Sequence, residues 1–236
     1  ILDRPNPNGF YVDGPVLEKN HKSFVGMHQV PIVHGMTVAE YAQMINGEGW
    51  LENGIQCKLT FIPCANYTHD SLYQLKMAPS PNLPDMQSVY LYPSLGFFEG
   101  TKLSVGRGTD FPFKVFGGPD FTIRTFGFIP RRIDGASKYP LHEGVECFGV
   151  DLRKYPIDSI IRTKRINLDW IIYGYQNTSG TEDFFNLYFY NITGTKKLKD
   201  QIISKKSIEE IRKSWESDLK KFKKIRSRYL IYKDFK

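Results

Sequence analysis

A mixed α+β fold follows from three features of this 236-residue chain. Two helices are announced by paired N-terminal signals, Thr37 with Glu40 and Ser207 with Glu210, each followed by apolar residues at helical spacing. Short apolar runs of strand length lie among Pro and Gly in the regions before and between them. The helical patterns then gather in the last third. The length admits one large domain or two small ones, with a core that needs no disulfide or metal to hold it.

Taken in order, Ile1, Leu2 and Asp3 read as the end of a buried strand running into a Pro/Asn loop. Residues 4–36 are rich in Pro and Gly and read as loops with short strands. Thr37 then accepts from the first helical turn while Glu40 reaches back. Val38, Tyr41, Ala42 and Ile45 form one face, and Asn46–Gly47 fits the helix end. Cys57 to Ile62 reads as a strand stopped by Pro63. Residues 80–84, Ser-Pro-Asn-Leu-Pro, form a rigid turn, and Val89 to Leu91 a strand. Between two apolar segments, residues 97–110 mix small, polar and charged side chains, a composition typical of site-bearing loops. The aromatic, Gly/Pro-rich stretch 111–150 predicts short strands. Asn167 caps a helix with Leu168, Ile171, Ile172 and Tyr175 on one face. Lys196 to Ser204 gives a short helix. After Ser207 the stripe Ile208, Ile211, Trp215, Leu219 and Phe222 is unbroken, and residues 228–232 form an apolar plug.

Composition narrows the function classes. A hydrophobic share of 41% with 24% charged residues excludes a collagenous or wholly disordered chain. No run of 18 apolar residues exists, so no transmembrane helix is expected. Residues 196–236 hold 15 Lys and Arg against 6 Asp and Glu, whereas the rest of the chain is near neutral. Those lysines interleave with the apolar stripe, so they read as a solvated helix face and not as a nucleic-acid interface. The three cysteines form no C-x-x-C pair, which argues against zinc; Cys57 and Cys64 read as buried thiols. The five histidines show no ligand spacing. Gly106-Arg107-Gly108 lacks the third glycine of a dinucleotide loop, Phe111 standing in its place. No cofactor and no metal are expected.

The chemistry left is that of polar loops beside aromatic rings. Aromatic faces stack on the apolar faces of sugars. Two facing carboxylates suit glycosidic cleavage, and Asp3, Asp13, Glu99 and Asp110 stand in loops. Arg4 and Arg107, held between prolines or glycines, can grip a carboxylate with two parallel hydrogen bonds. Each has an ordinary reading too: a turn or cap for the acids, an ion pair for the arginines.

A series of motifs carries a closer resemblance. Leu2-Asp3-Arg4-Pro5-Asn6-Pro7 precedes Gly14-Pro15, Ser23-Phe24-Val25-Gly26 and Pro31-Ile32-Val33-His34-Gly35-Met36-Thr37. Ser80-Pro81-Asn82-Leu83-Pro84, Glu99-Gly100-Thr101 and Gly106-Arg107-Gly108-Thr109 follow, then Ser214-Trp215-Glu216 and Tyr229-Leu230-Ile231-Tyr232. In this order they resemble the exo-β-N-acetylmuramidase family, formerly a domain of unknown function, in its Bacteroidota branch. The resemblance spans essentially the whole chain. It implies a glycoside hydrolase that trims N-acetylmuramic acid from the non-reducing ends of peptidoglycan fragments, with export to the periplasm or beyond.

It further implies a fold that opens in the end of a Rossmann-like region, over residues 1–64, and continues as a mixed α+β C-terminal domain with a helical tail, over 65–236. The family's upstream Rossmann-like portion, with its Glu-His-Gly turn, has no match here, so the chain is expected to be a C-terminal part. Asp3, Arg4 and Asn6 match the Asp-Arg-Pro-Asn-Pro loop. Asp13 stands where many members have Glu. His34, Asn82, Glu99, Thr101, Arg107 and Thr109 match the later turns. The expectation is that Glu99 and Asp13 act as catalytic carboxylates and that Asp3, Arg4, Asn6, His34, Asn82, Thr101, Arg107 and Thr109 bind substrate. Arg107 or Arg4 would hold the lactyl carboxylate that sets muramic acid apart from glucosamine. The rival reading is a non-catalytic peptidoglycan-binding module.

Overall fold

The helix-start signals hold in a computed structural model, which describes residues 1–235. Thr37 accepts from the Glu40 amide and Glu40 from the Thr37 amide at the head of α1 (Val38–Gly47). The buried face of α1 is Ala39, Glu40 and Met44, while Val38 is exposed, so the expected apolar stripe is rotated. The cause is Glu40 itself. Its carboxylate is drawn inward by His69 at 3.0 Å and by the Ile231 amide at 2.9 Å.

Both helices in the first half carry complete capping boxes. In α2 (Met86–Leu95), the Asp85 side chain accepts from the Ser88 amide, and Ser88 reaches back to the Asp85 amide. Residues 89–91, expected as a strand, lie inside this helix. Pro93 is also inside it and cannot donate to the Val89 carbonyl. The Asn8 side-chain amide fills that vacancy at 3.1 Å, which makes the proline tolerable.

Further along come α3 (Ile157–Thr163), α4 (Asp169–Gln176), α5 (Tyr188–Thr193), α6 (Lys197–Ile203) and α7 (Ile208–Arg226). Asn167 accepts from the Asp169 amide at 2.8 Å, the expected cap contact at α4. The α7 stripe buries Ile211, Trp215 and Phe222, with Ile208 and Leu219 partly covered. Sequence reading missed α3 and α5.

The strands are short. β1 (Asp13–Val16) pairs antiparallel with β2 (Pro31–Val33), through an irregularity between Asp13 and Val16. β3 (Val115–Gly118), β4 (Gly127–Phe128) and β5 (Cys147–Asp151) form an antiparallel sheet in the order β3-β5-β4. Gly117 and Gly149 face each other across it, and a Cβ on Gly149 would lie 2.0 Å from the Phe116 carbonyl oxygen. Only glycine permits that approach.

Residues 57–62 do not form the expected strand. Only the end of this segment pairs, where Ile62 runs parallel to Leu2 and the Asp3 amide donates to the Ile62 carbonyl at 3.0 Å. Leu2 is 71% exposed, so the first residues are no buried strand. Cys57 is exposed and Cys64 half-buried, against the expected buried thiols. The buried one is Cys147, whose thiol is pushed up to about 12 by burial.

The mixture of helices and small sheets agrees with the α/β class expected. A single apolar cluster joins Phe10, Tyr11 and Val33 to Leu91, Phe98, Phe116, Ile171 and Trp215, so early and late segments share one interior. Among the described residues, no helix is long and apolar enough to cross a membrane.

Candidate active site

A cavity of about 480 Å³ opens between the β1–β2 hairpin and the helical layer. The hairpin side and α1 supply Phe24, His28, His34 and Tyr41; the helical side supplies Tyr92, Glu99, Tyr188 and Asn191. Glu99 is the only acidic residue among the described lining residues.

Glu99 sits in the 3₁₀ turn Gly96–Gly100 that continues α2. Gly100 is required there, since a Cβ would lie 2.4 Å from the Phe189 Cα of α5. The helix thus rests directly on the turn that carries the carboxylate. Arg107 returns from the next loop through Gly106 and Gly108, whose φ values of 77° and 83° favour glycine. Its Nε and Nη2 both donate to Glu99 Oε1, at 2.9 and 2.6 Å. The guanidinium lies 4.9 Å from the Phe113 ring centroid, which supports it from beneath. Glu99 Oε2 takes no hydrogen bond among the described residues. The result is a partly exposed carboxylate of fixed orientation with one oxygen free.

A chain of rings forms the facing wall. His34 Nδ1 accepts from the Met36 amide at 3.2 Å, which places the ring proton on Nε2. Burial pushes its pKa down to about 4, and the Arg226 charge adds to that while Glu40 opposes it. His34 is therefore neutral at pH 7, with an N–H to offer. It stacks on Tyr41 at 5.0 Å, and the Tyr41 hydroxyl lies 2.9 Å from His28 Nδ1. Burial raises the Tyr41 hydroxyl to about 12, so it keeps its proton. His28 in turn stacks on Trp50 at 5.4 Å, and burial together with Lys22 keeps its pKa low. Sequence reading missed His28, Tyr41 and Trp50 as site residues. They carry no shared spacing, and only the stacking brings them together.

The structure sets most other sequence candidates to structural tasks. Asp13, taken from the sequence as a second catalytic carboxylate, is buried; it accepts from Arg212 at 2.6 Å and from the Ile166 amide at 2.7 Å. One oxygen ties β1 to α7 and the other ties it to the segment between α3 and α4. Asp3 holds the Ala39 amide at 2.9 Å and the Thr37 hydroxyl at 2.8 Å, and also accepts from Tyr232. Asn6 donates to the Met36 carbonyl and Asn82 to the Ala136 carbonyl. Thr101 and Thr109 turn their hydroxyls onto the backbone of Phe98 and Gly106. Arg4 is exposed and enters no ion pair among the described residues. Asp110, another loop acid, pairs with Arg131 on the surface. Of the candidates, then, Glu99 and His34 line the cavity, and Arg107 reaches it through Glu99.

The cavity thus sets aromatic walls around one oriented carboxylate. Comparison with known proteins gives the family. Family models described as exo-β-N-acetylmuramidase NamZ match here, the N-terminal one over residues 1–87 and the C-terminal one over 90–232. The chain belongs to the exo-β-N-acetylmuramidase NamZ family, which is a glycoside hydrolase family.

It is 32% identical to the peptidoglycan β-N-acetylmuramidase NamZ of Bacillus subtilis (strain 168), across 98% of this chain and 59% of that protein. A crystal structure of a DUF1343 family protein from Bacteroides fragilis NCTC 9343 superposes with a TM-score of 0.94 at 48% identity. The match covers 98% of this chain and 65% of that one. A second DUF1343 structure from the same organism, at 22% identity and a TM-score of 0.77 over the same shares, has the same fold. The chain thus spans about three-fifths of the length of the curated relative it matches.

Proposed function

We propose that this chain forms part of a hydrolase that releases N-acetylmuramic acid from the non-reducing end of peptidoglycan fragments, with the 480 Å³ cavity holding the terminal sugar. The observation that carries this reading is the Glu99 carboxylate, oriented by Arg107 with Oε2 free, inside an aromatic-walled cavity of a NamZ-family chain. Cleavage of a glycosidic bond passes through an oxocarbenium-like transition state. A carboxylate anchored by a guanidinium suits the stabilising or proton-accepting half of that chemistry. His34, neutral and with its proton on Nε2, donates a hydrogen bond to a sugar oxygen. Tyr92 and Tyr188 offer ring faces to the pyranose.

A second reading rests on the solitary acid. Glycosidases use two carboxyl groups, and Glu99 is the only acid among the described lining residues. On that reading the chain binds peptidoglycan sugars without cleaving them. Incubation with the muramic acid–glucosamine disaccharide separates the two. Free N-acetylmuramic acid from the wild type but not from Glu99→Gln supports the hydrolase. Equal release from both removes Glu99 from the mechanism. Binding without release makes the chain a recognition module.

A further inference from the structure

A second cavity, of about 250 Å³, adjoins the first and shares Leu17, Met27 and His28 with it. Its remaining lining is Lys19, Lys22, Gln29 and Trp50. Neither Lys19 nor Lys22 has a carboxylate partner among the described residues. Two cations therefore face a cavity that offers no acid of its own. Its aromatic member, Trp50, is the ring on which His28 stacks, with the planes 14° apart. His28 has its proton affinity lowered by burial and by Lys22, so it adds no third positive charge at pH 7.

The chemistry of the two cavities differs. The first is aromatic and holds one anionic group; the second is cationic, with an indole and a side-chain amide. A ligand spanning both needs a ring for the first and an anionic substituent for the second. We propose that the Lys19–Lys22–Trp50 cavity is a subsite for the carboxylate substituent of an acidic amino sugar whose ring occupies the main cavity. The inference rests on the sugar-binding reading of the main cavity. It moves recognition of the acidic group away from Arg107, whose Nε and Nη2 are occupied by Glu99.

Lys22 and Lys19 are exposed, so their replacement leaves the fold intact. The test is binding, which does not depend on whether the sugar is cleaved. N-acetylmuramic acid and its neutral counterpart N-acetylglucosamine are titrated into the isotope-labelled chain while the Trp50 indole N–H signal is followed. The expected result is that Lys22→Gln weakens the acidic sugar by about tenfold, the ratio expected for one lost charge-assisted hydrogen bond, and leaves the neutral sugar unchanged. Lys19→Gln/Lys22→Gln should weaken it further, and Lys22→Arg should retain most of the affinity. A Trp50 signal indifferent to both sugars, or a Lys22→Gln chain that binds the acidic sugar as well as wild type, overturns the proposal. Disaccharide cleavage is scored separately, so a failed subsite and a failed hydrolase reading give different patterns.

Discussion

Glu40 and His69 form an ion pair at 3.0 Å with both side chains wholly inaccessible to solvent. His69 Nδ1 also lies 3.1 Å from the Gly9 carbonyl oxygen, so both ring nitrogens face oxygen atoms. The pair ties three distant segments together, because Glu40 caps α1 and accepts from the Ile231 and Tyr232 amides of the final strap.

That pair predicts a pH-dependent stability. Burial alone would raise the Glu40 carboxyl, but the hydrogen bond from His69, the Thr37 amide, the His69 charge and the Ile231 amide outweigh it and hold the pKa below 4.5. A depressed carboxyl stabilises the fold fully above its unfolded value and loses that contribution as pH falls through the folded one. Urea unfolding should show stability declining below pH 4.5. Glu40→Ala should cost about 3–5 kcal/mol at pH 7, because it leaves the buried His69 ring and the Thr37, Ile231 and Tyr232 amides without their acceptor, and should flatten the acid limb.

His34 predicts a second, separate window. An unfolded imidazole binds its proton near 6.5, the folded one only near 4. Between those values the unfolded chain holds more protons, so stability falls as pH falls across that interval. The His34 ring resonances should titrate with a midpoint near 4. A midpoint at the ordinary value would show that the Met36 contact and the burial do not hold in solution.

The two carboxylates singled out from sequence should part company on mutation. Asp13→Ala removes one side of a buried pair and should destabilise by about 3–5 kcal/mol, with sugar affinity of the folded fraction unchanged. Glu99→Gln should leave the unfolding midpoint nearly where it was, yet cut disaccharide cleavage by at least about 100-fold, the scale of losing a positioned acid or base. Calorimetric unfolding and a sugar-release assay on each variant decide this.

Arg107→Lys keeps the positive charge but loses the fork that holds Glu99 Oε1. Turnover should drop about tenfold while preference for the acidic over the neutral sugar persists. Loss of that preference would instead make Arg107 the reader of the lactyl group.

Phe24 is 97% exposed at the tip of the Ser23–Gly26 turn and lines the cavity mouth. Phe24→Ala should change stability by less than about 0.5 kcal/mol. If the ring stacks on sugar, affinity should fall about threefold to tenfold. Titration of N-acetylmuramic acid into the variant measures it.

Local signals were legible and long-range ones were not. The Thr37–Glu40 and Ser207–Glu210 pairs place helix starts because the two halves of each signal lie in one turn. Residues 89–91 read as a strand because Val and Tyr favour sheets and Pro93 argues against a helix. What rescues the helix is Asn8, 81 residues away at the Val89 carbonyl. The α1 face was misjudged for the same kind of reason: Glu40 turns inward toward His69, which nothing near it announces. In the site, Glu99 and Arg107 stood out as charges in one glycine-bearing loop. His28, Tyr41 and Trp50 did not, because their stacking depends on the hairpin folding over α1.

Gly100 has a last consequence. The turn bearing Glu99 meets α5 backbone to backbone, with no side chain between them to rotate or compress. The gap between the carboxylate and the Tyr188–Asn191 wall therefore behaves as a calliper locked at one setting. On the proposed sugar-binding reading, different rings would be admitted by trimming the jaws, at Tyr92 or Tyr188, and not by opening them.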